Sequence, residues 1–231
     1  MNIIFDMGGT IIKNINTSFE KGFISLYPYI YHDSNTTISS VSFLIDAMDI
    51  TYDLFSKRNE TMIEVSFERI LEQLNKLYLF TITIEKQQEI FINNFETIAA
   101  IDGIIPFLEM LKSHHINCYV LSNSTFSSKY LVMQLQKVGL SDYFKDCISS
   151  ADVGYRKPHP LFFNYLINKY QLDISDTIMI GNDFEKDILG ATKIGLKAYF
   201  FTNNPFSYND TNIYTFNKYS DLSLNLKKQL K

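Results

Sequence analysis

Four short segments carry most of the side chains able to do chemistry, and they follow one another along the 231-residue chain. Asp6 opens Asp6-Met7-Gly8-Gly9-Thr10. Ser122-Asn123 follows an apolar run, Lys157 stands between Arg156 and Pro158, and Asn182, Asp183 and Asp187 follow Gly181. A carboxylate, a hydroxyl, an ammonium and a cluster of oxygens are the parts needed to take a phosphoryl group onto an aspartate. The glycines after Asp6 let backbone come close to an anion, although Asp-x-Gly-Gly also makes an ordinary turn. Ser122 and the N–H of Asn123 suit a phosphoryl oxygen; they equally suit a turn or a helix cap. A lysine held before proline at a crevice screens an attacking carboxylate from an anionic substrate, whereas most lysines are simply solvated. Asn182, Asp183 and Asp187 offer oxygens to a hard cation such as Mg²⁺, or acids to a helix N-terminus. His114, His115 and His159 show no metal-ligand spacing.

Such side chains need strand ends to hold them. Short apolar runs at Asn2 to Phe5, Asn117 to Leu121, Cys147 to Ser149, Thr177 to Ile180 and Lys197 to Phe201 suit strands buried on both faces. Between them helical patterns cover Ile104 to His114, Phe126 to Val138, Leu161 to Tyr170, and Asp183 to just before Gly195. The alternation predicts an α/β fold, a parallel sheet with right-handed crossovers. Lys13 to about Ala100 breaks the rhythm and predicts helices only. Its stripes are Val41, Leu44, Ile45, Met48, Tyr52 and Phe55; then Ile63, Phe67, Ile70, Leu71, Leu74 and Tyr78 behind a capping box of Thr61 and Glu64; then Phe91, Phe95 and Ile98. The tail beyond Asn203 is polar and predicts no element.

Composition narrows the function classes. The chain is 46% hydrophobic, with 19 Phe and 15 Tyr, which is ample for a core. A net charge of −4 and only three arginines, Arg58, Arg69 and Arg156, argue against a nucleic-acid partner. No apolar run nears the roughly 20 residues of a membrane span, so no membrane role is expected. The N-terminus lacks a basic region and a long apolar stretch, so no signal peptide is expected and a cytoplasmic protein is. Cys118 and Cys147 form no spacing motif, and Cys118 is expected as a buried free thiol. The pattern is silent on oligomeric state.

In this order, with a helical insertion after the first, the four segments resemble the haloacid dehalogenase superfamily of aspartate-dependent hydrolases. The resemblance runs from Asn2 to about Asn203 and includes Asp102-Gly103, Leu140-Ser141-Asp142-Tyr143-Phe144, Ser149-Ser150-Ala151-Asp152 and Asp187-Ile188-Leu189-Gly190-Ala191. It implies a Rossmann-like core with helices on both faces, residues 1–13 and 100–231, and an all-helical cap over residues 14–99. It further implies Asp6 as the nucleophile and Lys157 as its catalytic partner. Thr10, Ser122, Asn123 and Lys157 would bind the substrate, a small phosphorylated metabolite. Mg²⁺ would draw on Asp6, the carbonyl of Gly8, and Asn182, Asp183 or Asp187.

Two positions depart from the phosphatase pattern. Gly8 stands where that pattern has a second Asp acting as general acid and base, a loss that typically costs ~10²–10⁴-fold in rate. Asn182 stands where many members have Asp. Tyr27, Tyr31, His32 and Asp33, early in the insertion, are candidates for the missing proton donor. A 2-haloacid dehalogenase needs neither metal nor the second acid, but that branch carries Tyr where this chain has Phe163. A non-catalytic binding protein on the same fold is the further alternative. A sugar-kinase phosphate loop would leave Lys157 and Asp183 unexplained, and no P-loop or dinucleotide glycine pattern is present.

Overall fold

Along three central strands successive side chains enter two different apolar cores, and that alternation builds the molecule. The structure is a computed structural model describing residues 1–32, 38–204, 208 and 210–229. Strand β1 is Asn2–Phe5, β4 is Asn117–Ser122 and β6 is Thr177–Gly181. Ile3, Phe5, Cys118, Val120, Ile178 and Ile180 fall into one apolar cluster; Ile4, Tyr119, Leu121 and Met179 fall into the other. Strands covered on both faces have no room for a polar alternate, hence the continuous apolar runs. With β5 (Asp146–Ser149), β7 (Lys197–Phe201) and β8 (Ile213–Phe216), they form one sheet in the order β5-β4-β1-β6-β7-β8, parallel at every pairing.

Between β1 and β4 lie α1 (Phe19–Ile24), α2 (Ser40–Phe55), the single turn α3 (Arg58–Thr61), α4 (Phe67–Leu77), α5 (Ile84–Phe95) and α6 (Ile104–Ser113). After β4 come α7 (Ser128–Lys137), the turn α8 (Ser150–Val153), α9 (Pro160–Tyr170), the turn α10 (Gly190–Thr192) and α11 (Tyr219–Gln229). Ile104, Phe107 and Leu111 of α6, Leu131 of α7 and Leu222 of α11 pack on one face of the sheet. Phe162, Phe163 and Leu166 of α9 pack on the other. Helices therefore cover both faces, as expected.

The insertion is not helical throughout. Strand β2 (Ile12–Thr17) pairs antiparallel with β3 (Glu96–Ala100), so the insertion leaves and rejoins the core on a two-stranded ribbon. The ribbon is mostly solvated and its partners lie far apart in sequence, so no local apolar run announces it. Ile98, assigned above to a helical stripe, belongs to β3. Helices α1, α2, α4 and α5 close over their own core of Phe23, Phe43, Phe67, Leu71 and Phe91. On α2 the buried line is Phe43, Ala47 and Thr51; of the expected stripe Leu44, Met48 and Phe55 pack against the same cluster, while Val41, Ile45 and Tyr52 face outward. The capping box also fails. Ser66 caps α4 by accepting from the Arg69 N–H, and Glu64 turns away to pair with Arg156 and Arg58, which offer it more than a helix end does. Met62, left-handed at φ 54°, ends α3 before that helix can run on.

The tail is a second correction. Strand β8 extends the sheet, and α11 buries Tyr219, Leu222 and Leu226. Four strand residues and a mixed helix give too short a periodic signal to read alone. No described helix is long and apolar enough to cross a membrane.

Both cysteines are buried and free, Cys118 as expected. Burial pushes each thiol up to about 12, and for Cys147 the carboxylates of Asp146 and Asp152 add to it. At a pH of about 8 only on the order of one thiol in ten thousand is ionised. Titration with a thiol-reactive chromophore is therefore expected to label neither cysteine in the native protein and both after denaturation.

Candidate active site

The sheet order explains why the four segments meet. The chain runs from β1 outward to β4 and β5, then returns to β6 on the other side of β1. The carboxyl ends of β4, β1 and β6 are thus neighbours at the topological switch point, where open α/β sheets bind ligands. Asp6 follows β1 and is fixed by its N–H to the Ile180 carbonyl at 2.9 Å. Ser122, buried, closes β4, and Asn182 follows β6.

Lys157 is the centre of the arrangement. Its ammonium lies 2.7 Å from Asp6 Oδ1 and 2.7 Å from Asp187 Oδ1, with the lysine side chain 1% exposed. Burial works against that cation, but the carboxylates of Asp187 and Asp6 outweigh burial and hold its pKa above the usual lysine range. The Asp187 carboxyl is pushed up to about 6, by burial first and by Asp6 second, against the pull of Lys157. Asp187 comes from a π-helical turn, Phe184–Leu189, and folds back so that its Oδ2 accepts from the N–H groups of Asn182 (3.1 Å) and Asp183 (3.0 Å). Gly181 makes that possible: a Cβ there would lie 2.3 Å from the Asp187 Cβ.

Asn123 does something other than bind a phosphoryl group with its side chain. Its Oδ1 accepts from the Lys157 N–H at 2.7 Å and its Nδ2 donates to the Lys157 carbonyl at 2.9 Å, clamping that loop. Thr10 is fully buried beneath Asp6; its hydroxyl donates to Asp6 Oδ2 at 3.4 Å, and its carbonyl accepts from Tyr219 at 2.8 Å. Thr10 thus contacts Asp6 from below, and Asn123 holds the Lys157 loop. Asp183 lines the same cavity, where it caps the π-helical turn and pairs with Lys186. Tyr27 donates its hydroxyl to the Ile38 carbonyl and packs against His32 and Phe43, and Tyr31 bonds Leu79 through its N–H. Neither these two tyrosines nor His32 lines the crevice, and Asp33 lies outside the described residues.

Residues the sequence reading left without a role are also present. Arg156 and Lys186 join Asp6, Gly8, Asn123, Lys157, Asn182, Asp183 and Asp187 around a cavity of about 220 Å³. Every lining residue is polar or glycine. A larger cleft of about 500 Å³, between Lys13, Gly103 and Tyr219, contains none of the residues of the four segments.

Among the described residues no group of three His, Cys, Asp or Glu side chains is placed to hold a metal. Oxygens of mixed type do converge, around the Asn182 amide. With its nitrogen inward it donates to Gly8 O (2.9 Å), Thr10 Oγ1 (3.1 Å) and Asp6 Oδ2 (3.2 Å). Its oxygen, turned inward, would face the same acceptors and call for a cation between them. Carboxylate, carbonyl and amide oxygens are the donors a hard divalent ion takes, so the residues fit Mg²⁺ with a single carboxylate among them. Gly9, at φ +79°, keeps the path open, since a Cβ there would lie 2.4 Å from Asn182 Nδ2.

Replacing the lysine tests this electrostatic account. Lys157→Met leaves two carboxylates in a buried site without their shared cation, a loss of about 3–5 kcal/mol by analogy with broken buried pairs. Asp187, whose carboxyl burial already pushes up against the pull of Lys157, then binds its proton still more tightly in the folded than in the unfolded protein, so stability falls as pH rises through that range. Denaturant titration is expected to find the variant's deficit smaller at a pH of about 5 than at about 8.

Comparison with known proteins gives the family. Residues 3–201 match the family model for haloacid dehalogenase-like hydrolases. A phosphoglycolate phosphatase from Vibrio vulnificus (strain YJ016) is 32% identical over 102 residues, 44% of this chain and 43% of that protein. A pyrimidine 5′-nucleotidase from Escherichia coli (strain K12) is 31% identical over 132 residues, 56% of this chain and 55% of that one. The chain thus spans about half, or less, of the length of these curated relatives. Among solved structures, a phosphatase of the same superfamily from Thermococcus onnurineus superposes with a TM-score of 0.64 at 20% identity, covering 97% of both chains. A 2-haloacid dehalogenase from Pseudomonas syringae gives 0.67 at 17% identity over 98% of both, which establishes the shared fold. With Asp6, Lys157 and the residues after β6 in the places this fold reserves for chemistry, the chain belongs to the haloacid dehalogenase-like hydrolase family.

Proposed function

We propose that this chain is a cytoplasmic, Mg²⁺-dependent phosphatase of small phosphorylated metabolites, acting through an aspartyl-phosphate on Asp6. The observation that carries the reading is the cavity itself. It is small, lined only by polar residues and glycine, and its floor is a carboxylate held against a buried ammonium. A carboxylate so placed is aimed rather than free to rotate, and the ammonium offsets its repulsion from an approaching phosphate.

In the first step an Asp6 oxygen attacks phosphorus and the leaving oxygen departs with the bonding electron pair. In the second, water attacks phosphorus, frees the Asp6 carboxylate and releases phosphate. Mg²⁺ held by Asp6, the Gly8 carbonyl and Asn182 would neutralise charge on the phosphoryl oxygens. Asn123 keeps Lys157 on the nucleophile throughout, and Asp187 keeps Lys157 charged. Residues 14–99, with their own apolar core, serve as the cap. The relatives' names, a phosphoglycolate phosphatase and a pyrimidine 5′-nucleotidase among them, point the same way. A dehalogenase finds less support: Phe163 is fully buried against Gly190, away from the cavity, and no apolar side chain waits for a haloacid's carbons.

Gly8 sets the rate. It is exposed, and a Cβ there meets nothing within 4 Å, so an aspartate can be restored without a clash. Hydrolysis of para-nitrophenyl phosphate, whose leaving group needs little protonation, is expected with Mg²⁺, lost with EDTA and lost in Asp6→Asn. Gly8→Asp is expected to raise turnover of unactivated alkyl phosphates by roughly 10²-fold or more. Absence of para-nitrophenyl phosphate turnover from both the parent and Gly8→Asp would refute the phosphatase reading.

A further inference from the structure

Two of the chain's three arginines converge on one glutamate. Glu64 lies in the insertion, just before α4, and its side chain is fully buried. Its carboxylate accepts from the Arg156 guanidinium, from the Ser150 hydroxyl at 2.6 Å and from the Val65 N–H at 3.0 Å, with Arg58 at 3.8 Å. Burial and the nearby Arg156 push the Arg58 guanidinium below its usual range. Glu64 is the carboxylate that both cations share.

Around this cluster the insertion is stitched to the core by main chain. The Arg156 N–H donates to Met62 O at 2.9 Å, the Glu64 N–H to Gly154 O at 2.9 Å, and the Phe67 N–H to Thr125 O at 2.8 Å. The Thr125 hydroxyl donates to Val65 O at 2.6 Å. Ser150, which donates to Glu64, also accepts from the Ser124 N–H at 2.9 Å. Glu64 thereby reaches the residue after Asn123 by one route and the residue before Lys157 by the other. Asn123 and Lys157 are themselves clamped together. No described residue of the insertion lines the catalytic cavity, so Glu64 can act on it only through these loops.

We propose that Glu64 is a positioning residue for the catalytic lysine: from the insertion it holds Arg156 and Ser150, and so sets the loops that carry Lys157 and Asn123. Docking of the insertion and assembly of the site are then one event. Without the Glu64 carboxylate, Arg156 and Arg58 lose their shared counter-charge, and the main-chain bonds from the Gly154–Arg156 loop to Met62 and Glu64 lose the ion pair that holds them closed. A buried ion pair adds little net stability over an apolar contact, but removing one member is costly and releases the geometry it fixed.

The activity part of the test rests on the phosphatase reading; the exchange part does not. In the full-length protein, Glu64→Gln is expected to speed amide exchange at Arg156 and Phe67 by roughly tenfold or more, with β1 and β6 unchanged. In para-nitrophenyl phosphate hydrolysis, kcat is expected to fall by about tenfold with KM within about twofold, and Glu64→Asp to recover part of the loss. Unchanged exchange at Arg156 in a folded Glu64→Gln variant overturns the proposal. So does faster exchange with kcat unaltered. A parent without turnover counts against the phosphatase reading alone, and exchange then decides on Glu64. Should Glu64→Gln fail to fold, Ser150→Ala removes one donor and no charge. It is expected to quicken exchange at Arg156 by about two- to fivefold, and an unchanged rate overturns the proposal.

Discussion

The site depends on one interaction, a buried ammonium shared by two carboxylates. Lys157 lies at equal distance from Asp6 and Asp187, and none of the three is tolerable where it stands without the others. That requirement dictates much of the local structure. Asn123 grips the Lys157 backbone from both sides, Gly181 makes room for Asp187, and the π-helical turn brings Asp187 back over the strand it follows. Thr10 and Tyr219 hold the floor beneath Asp6.

The parallel sheet makes this charge cluster possible by bringing together segments more than a hundred residues apart. Because β1 lies between β4 and β6, the residues after each strand emerge at one edge, and no single loop has to span the site. The two apolar clusters on the sheet faces hold the strands in register, so the side chains at their ends inherit that precision. The insertion leaves and rejoins the core on the β2–β3 ribbon, and its Glu64 reaches back to Arg156 and Ser150 of the core.

Every sheet strand but β8, and most helices of the core, were legible because doubly buried strands and amphipathic helices impose strong local periods. The ribbon β2–β3 was not, since its pairing is long-range and its surface polar. On α2 apolar residues occur on more than one side, so spacing alone mixed inward Leu44, Met48 and Phe55 with outward Val41, Ile45 and Tyr52. Of the candidate site, Asp6, Lys157, Asn182 and Asp187 were legible by type and place, and the structure brings them together. Asp183 has the right type but turns toward Lys186. The work of Asn123, Arg156 and Glu64 was invisible, because each acts through a partner distant in sequence. A hint lay in the scarcity of arginine: of three, one sits beside the catalytic lysine.

Gly8 and Asn182 turn a general scheme into a specific one. On the proposed mechanism Gly8 leaves no aspartate to protonate the leaving oxygen or to activate water, so both steps are expected to slow, and a good leaving group relieves only the first. Asn182 places a neutral amide among three oxygens, where an aspartate would place charge. An enzyme so built should form its covalent intermediate and clear it slowly. The most direct measurement is acid quench of the protein during reaction with para-nitrophenyl phosphate and Mg²⁺, followed by mass spectrometry of the intact chain and its peptides. A phosphoryl adduct on the peptide carrying Asp6, absent from Asp6→Asn and shorter-lived in Gly8→Asp, is the predicted result. Sustained turnover with no adduct in the parent, or an adduct on any other residue, would contradict the account.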